Sequence, residues 1–275
     1  MTRCTRRTRR TLQVTGVGVA ALLALSACSS GSDSSSKKDS SSASKDSAKE
    51  VTGTVTVFAA ASLKESFTTL GKDFEKAHPG TKVTFSFGGS DTLAASITGG
   101  APADVFAAAS PKTMAIVTDK KDAATAPSTF VRNQLEIATL PGNPDKVASL
   151  KDLTKSGLKV VLCDKTVPCG AAAQKALDAS KLKLTPASYE QDVKSALTKV
   201  ELKEADAAVV YKTDVKAAGG KVDGVEFPES ANAINDYPIA LLKDAPNAAA
   251  AKEFIALVQS AEGQKVLTAA GFLKP

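Results

Sequence analysis

The chain has 275 residues, 43% of them apolar, with 35 basic and 29 acidic side chains, a net charge of +6 and a pI of about 9.0. It carries one histidine and four cysteines, which leaves no imidazole cluster for a metal centre and no second histidine as a proton acceptor. The length suffices for one large domain or two lobes of about a hundred residues each.

Residues 1–27 read as an export signal. Arg3, Arg6, Arg7, Arg9 and Arg10 form a basic region without an acid, and Val14 to Leu25 is an apolar run too short to span a bilayer. Leu25-Ser26-Ala27-Cys28 resembles the lipobox of bacterial lipoproteins, which implies cleavage before Cys28 and a diacylglycerol on its sulfur. Arg9-Arg10 also suits twin-arginine export, although basic signal regions carry such pairs by chance. Removing 1–27 leaves 30 basic and 29 acidic residues, a net charge of +1. The basic pI therefore belongs to the signal and gives no ground for a nucleic-acid partner. Half of Ser29 to Glu50 is serine, with alternating lysine and aspartate. Such a segment has nothing to bury and reads as a flexible tether, 28–50, starting at the lipidated cysteine. The expected location is the outer face of the cell membrane, held by the lipid on Cys28; two acyl chains anchor stably where one is marginal.

From residue 51 short apolar strands alternate with amphipathic helices. Strands are predicted over 54–60, 82–87, 104–108, 130–139, 158–162, 206–211, 222–227 and 238–243, and helices over 62–77, 91–98, 111–120, 170–180, 190–200, 247–259 and 261–270. This order predicts an α/β protein with mixed, mostly parallel sheets. The long run Phe130 to Leu140 and the segment Phe227 to Leu242 read as two hinge crossings. Lobe 1 is then 51–131 with 233–275, and lobe 2 is 132–232, with a cleft between them where small ligands bind.

Five places put hydrogen-bond donors at helix starts or strand ends. A strand runs into Ser62, whose Ser-x-x-Glu pattern with Glu65 reads as a capping box and outlines an anion site. Gly88-Gly89-Ser90 lets backbone approach a ligand closely and opens a helix. Val167-Pro168-Cys169-Gly170 opens another, at Ala171. Asp192 caps a third helix and leaves the Val193 N–H beside it, and Tyr211 ends a strand. Each has a plainer reading: the serines and Asp192 only cap, Cys169 is only structural, and Tyr211 only covers core. Cys163 and Cys169, close in sequence in an exported chain, predict a disulfide. A metal pair is the alternative, but it lacks further ligands. Ser110-Pro111 is a cap followed by a first-turn proline. The lone His78 in Ala77-His78-Pro79-Gly80, and the lack of a Gly-x-Ser-x-Gly elbow, speak against a serine hydrolase built on Ser62 or Ser90.

Phe58-Ala59-Ala60-Ala61-Ser62-Leu63, Phe87-Gly88-Gly89-Ser90, Gly100-Ala101-Pro102-Ala103-Asp104-Val105-Phe106, Val167-Pro168-Cys169-Gly170 and Val209-Val210-Tyr211-Lys212-Thr213-Asp214 occur in the order seen in molybdate-binding proteins of bacterial ABC importers. Over 53–273 the chain resembles that family. The resemblance implies a type II periplasmic-binding-protein fold of two lobes, not an enzyme, without a cofactor or directly bound metal cation. It implies closure on one tetrahedral oxyanion, molybdate or tungstate, and delivery to a membrane permease; a monomer is expected. Carried over by motif, the ligand set is the hydroxyls of Ser62, Ser90 and Tyr211 and the backbone N–H groups of Cys169 and Val193. Many relatives have alanine where Cys169 stands, a change that leaves a backbone donor intact. Asp104 belongs to a family motif and is expected to support a loop. A receptor for another oxyanion, sulfate or phosphate, is the alternative.

Overall fold

The computed structural model describes residues 51–275. The export signal, Cys28 and the serine-rich tether lie outside the described residues. Among the described residues no helix is long and apolar enough to cross a membrane.

One sheet contains β1 (Gly53–Ala60), β2 (Thr81–Gly88), β3 (Val105–Ala107), β4 (Ser128–Asn133) and β10 (Asn235–Leu241), in the order β2-β1-β3-β10-β4. β1 runs parallel to β2 and β3, while β10 is antiparallel to both β3 and β4. Helix α1 (Lys64–Ala77) turns Phe67, Leu70 and Phe74 inward at helical spacing. Phe67 and Phe74 meet the ring of Phe254, on α7 (Ala248–Gln259), edge-on at 5.9 and 5.6 Å, the geometry that aromatic quadrupoles favour. Helices α2 (Ser90–Thr98), α3 (Pro111–Asp119) and α8 (Ala261–Ala269) complete this lobe. Ser110 caps α3 by accepting from the Thr113 N–H, with Pro111 in the first turn.

The other sheet contains β5 (Leu135–Thr139), β6 (Val160–Cys163), β7 (Ser188–Glu190), β8 (Ala207–Tyr211) and β9 (Asp223–Val225), in the order β7-β6-β8-β5-β9. Its helices are α4 (Pro168–Ala179), α5 (Val193–Glu201) and α6 (Lys212–Ala217). β6 is parallel to β7 and β8, and β5 is antiparallel to β8 and β9. Both sheets are mixed, but parallel pairing accounts for half of the ladders rather than most of them, because β10 and β5 each enter their sheets against the direction of the neighbours.

The predicted strand 130–139 is two strands. It breaks at Gln134, with β4 in one sheet and β5 in the other. Phe130 and Val131 are buried on β4 and all of β5 is buried, and the polar triplet Arg132-Asn133-Gln134 stands at the change of sheet. Helix α4 begins at Pro168, earlier than expected; a first-turn proline has no N–H to lose and a φ already suited to a helix. Gly170 permits this start, since a Cβ there would lie 1.9 Å from the Asp164 carbonyl oxygen. Cys163 and Cys169 form the expected disulfide across the same junction, with Cα atoms 5.8 Å apart.

Candidate functional site

The carboxyl ends of β1, β2, β6, β7 and β8 lead directly into the turns and helices that face the inter-sheet cleft, the edge where open α/β sheets carry ligands. Ser62, Ser90, Cys169, Val193 and Tyr211 all line one cavity there. Its volume is about 10 Å³, against about 420 Å³ for the adjoining groove, so the space suits a compact ligand and not an extended one. Gly89 and Gln191 meet at its edge from opposite lobes, and a Cβ on Gly89 would lie 2.5 Å from the Gln191 carbonyl oxygen.

Ser62 is buried, but it does not cap α1. It sits inside a 3-10 turn, Ala61–Leu63, and α1 starts at Lys64 with no side-chain cap. Its Oγ lies 2.9 Å from the Tyr237 Oη. Glu65, the other half of the expected box, instead reaches the Lys194 Nζ on α5 at 2.9 Å. The local pattern loses because both side chains have partners on distant elements. Tyr237 holds the serine in a buried site, and an ammonium draws the glutamate.

Ser90 is the first residue of α2, behind Gly89, which has no side chain to cap with. Its Oγ accepts the Ala109 N–H at 3.0 Å. Cys169 stands in the first turn of α4, where the N-cap Val167 offers no side-chain bond. Val193 opens α5 behind Asp192, whose carboxylate accepts from the Ser195 N–H at 2.9 Å and its hydroxyl at 3.0 Å. That carboxylate is thereby turned to its own helix. The first-turn amides of α2, α4 and α5 carry the partial positive charge of their helix ends. Tyr211 is 1% exposed, and its Oη accepts from the Asn235 Nδ2 at 2.7 Å. Burial pushes the Tyr211 phenol well up from its ordinary value, and burial does the same to Tyr237. Both therefore keep their protons at neutral pH.

Among the described residues no lysine or arginine lines this cavity. Lys64, Lys194 and Lys199 line the adjoining groove instead. Lys194 joins the lobes, reaching Glu65 and, at 3.2 Å, the buried Asp214. Burial lifts the Asp214 carboxyl to about 6 while Lys194 pulls it back. Lys194 loses by desolvation, but Asp214 and Glu65 outweigh this and hold it above its ordinary value. Among the described residues no group of three His, Cys, Asp or Glu side chains could hold a metal ion. Asp104 is outside the cavity. Its carboxylate accepts the Thr56 N–H at 2.7 Å and the Asn247 N–H at 2.6 Å, tying β1 to the start of α7.

Three residues absent from the sequence reading support the site. Asn133, at the end of β4, donates to the Thr213 Oγ1 at 2.9 Å and the Tyr237 Oη at 3.3 Å. Asn235 opens β10, and Tyr237 lies two residues further along it. Polar side chains among buried strand neighbours were the available signal, and all three fall within or beside the two expected crossings.

Residues 55–273 match the family model described as bacterial extracellular solute-binding protein. The molybdate-binding protein ModA of Mycobacterium tuberculosis (strain H37Rv) is 43% identical over 221 residues, covering 80% of this chain and 85% of that protein. The periplasmic molybdate-binding protein of Azotobacter vinelandii superposes with a TM-score of 0.71 at 22% identity, covering 80% of this chain and 99% of that one. The sulfate-binding protein SubI of M. tuberculosis H37Rv superposes with a TM-score of 0.68 at 17% identity, covering 80% of this chain and 86% of that one. At those identities the two structures show the shared two-lobed fold alone. The chain belongs to the bacterial extracellular solute-binding proteins, a family of receptors and not of enzymes.

Proposed function

We propose that this solute-binding protein captures molybdate outside the cytoplasm and delivers it to the permease of an ABC importer, with tungstate as an equivalent ligand. The observation that carries the reading is the lining of the cleft. Among the described residues three protonated hydroxyls and the amides of helix ends converge there, with no cationic side chain and with the Asp192 carboxylate committed to its helix. The 43% identical relative named for molybdate binding supports the choice of anion.

Molybdate is a tetrahedral dianion with four acceptor oxygens and no proton at neutral pH. A shell of neutral donors satisfies it with charge-assisted hydrogen bonds, and helix N-termini add partial positive charge. Hydrogenphosphate brings a proton that such a shell leaves unpaired, at a cost of about 1–3 kcal/mol. Sulfate has the charge and shape but is smaller, so rejecting it rests on cavity size, since a poor fit stretches several bonds together. The likeness in fold to a sulfate-binding protein makes this the alternative to test.

The donors are Ser62 and Ser90 from one lobe and the Cys169 N–H, the Val193 N–H and Tyr211 from the other, so the shell is complete only when the lobes are closed. In this reading the chain hinges at Asn133–Gln134 and Ile234–Asn235, and the lipid on Cys28 keeps the receptor at the membrane. Thermal melting with sodium molybdate, tungstate, sulfate and phosphate tests the reading. Molybdate and tungstate should raise the melting temperature equally, since a ligand of the folded state alone stabilises it. A shift with sulfate as large as that with molybdate would overturn the reading.

A further inference from the structure

The hydrogen bonds behind the site have directions that the chemistry of their end members fixes. The Gln134 backbone N–H can only donate, and it reaches the Asn133 Oδ1 at 3.0 Å. That sets the Asn133 amide, whose Nδ2 must donate to Thr213 and to the Tyr237 Oη. Tyr237 makes its well-formed hydrogen bonds with Asn133 and Ser62, and the Tyr211 phenol stands beside it as a third polar neighbour. The amide cannot receive a proton, so the phenol proton goes to the Ser62 Oγ. Were Ser62 to donate instead, the fully buried phenol O–H would be left with only the Tyr211 oxygen, with which it forms no hydrogen bond of good geometry, at a cost that structures rarely carry. Ser62 therefore accepts from the frame, and its own proton is free for the cavity.

The same logic applies across the cleft. The Pro168 carbonyl can only accept, and the Asn235 Nδ2 lies 3.3 Å from it. That sets the Asn235 amide, whose Nδ2 also donates to the Tyr211 Oη. The Tyr211 proton is left for the cavity. Ser90 receives the Ala109 N–H, which likewise leaves its proton free. All three hydroxyls thus have an acceptor lone pair filled from behind, and chains of this kind polarise each member in turn.

We propose that Asn133 and Asn235, one on each crossing between the lobes, together with Tyr237 as a relay, are positioning residues that turn the Ser62 and Tyr211 protons toward the cavity and so favour a tetrahedral anion carrying no proton. The inference rests on the anion-site reading above and names the residues that enforce its selectivity. Asn133 also holds Thr213 of the opposite lobe, which places this control at the hinge.

The test is calorimetric titration of the purified protein and its variants with molybdate and with inorganic phosphate at pH 7. Tyr237→Phe keeps the ring that packs edge-on against Phe272 and Tyr211 and removes only the relay oxygen. It should weaken molybdate about five- to tenfold, the effect of losing one well-directed hydrogen bond, and narrow the preference for molybdate over phosphate by at least that factor, because Ser62 can then accept the phosphate proton. In a Ser62→Ala background the same change should have no further effect. Asn235→Ala should narrow the preference in the same way through Tyr211, and it stands in if Tyr237→Phe does not fold. An unchanged preference in the folded variants, or a full additional loss from Tyr237→Phe in the Ser62→Ala background, overturns the inference. Undiminished molybdate affinity in Ser62→Ala itself would instead overturn the anion-site reading, which keeps the two failures apart.

Discussion

The two walls of the cleft are built differently. One lobe supplies serine hydroxyls, each held from behind by another part of the chain: Ser62 by Tyr237 and Ser90 by the Ala109 amide. The other lobe supplies the opening amides of α4 and α5, with Tyr211 as its one side-chain donor. A hydroxyl is lost with its side chain and can point the wrong way. An amide survives most substitutions and fails only when its helix moves. The first wall is therefore the one that single mutations break, and the second answers to whatever fixes its helix ends.

The largest effect should come from the hydroxyl wall. Ser62→Ala and Ser90→Ala should each weaken molybdate by about one to two orders of magnitude, the loss of a charge-assisted hydrogen bond, as read by calorimetry. Next is the seam between the walls. Gly89→Ala places a methyl group against the Gln191 carbonyl; overpacking of this kind costs about 1–3 kcal/mol. It should lower affinity about tenfold or more, and small-angle scattering should show a more open molecule with molybdate present.

The linkage at Asp214 sharpens the contrast from the amide side. Burial raises this carboxyl from 3.8 to about 6. A folded value above the unfolded one stabilises the fold most below the unfolded value, and that contribution is lost as pH rises through the folded value. Asp214→Asn should therefore gain on the wild type between about pH 4 and pH 7, by about 3 kcal/mol at most, in denaturation series across that range. Removing the Cys163–Cys169 bridge should cost about 2.4 kcal/mol of stability on loop-entropy grounds and weaken molybdate only through a looser α4 start. The smallest change in affinity belongs to Val193→Ala. Its buried side chain contributes about 1–2 kcal/mol to the core, so the melt should fall while molybdate affinity stays within about twofold, because the backbone N–H remains.

What could be read from the sequence follows the same division. Helix starts are local: Ser110 before Pro111, and Asp192 before Val193, declare themselves within three or four residues, and both caps form. The disulfide was legible from two cysteines in an exported chain. The Ser62–Glu65 pattern misled because a local signal cannot report a competing partner 175 residues away, Tyr237 for the serine, or the lysine on another lobe that takes the glutamate. The break at Gln134 was hidden for a related reason. The polar triplet Arg132-Asn133-Gln134 does interrupt the apolar run there, but with Asn133 fully buried and apolar residues on both sides it reads as part of one strand. Asn133 and Asn235 were invisible as supports because what they do depends on which groups fixed their amides.

The proposed ligand is one compact dianion held between the two walls. Its most direct test is a calorimetric titration of the purified protein with sodium molybdate in a large excess of sulfate. One site per chain is expected, with an affinity that the sulfate leaves nearly unchanged. Absence of a binding heat, or an affinity that falls in proportion to the sulfate present, would contradict it.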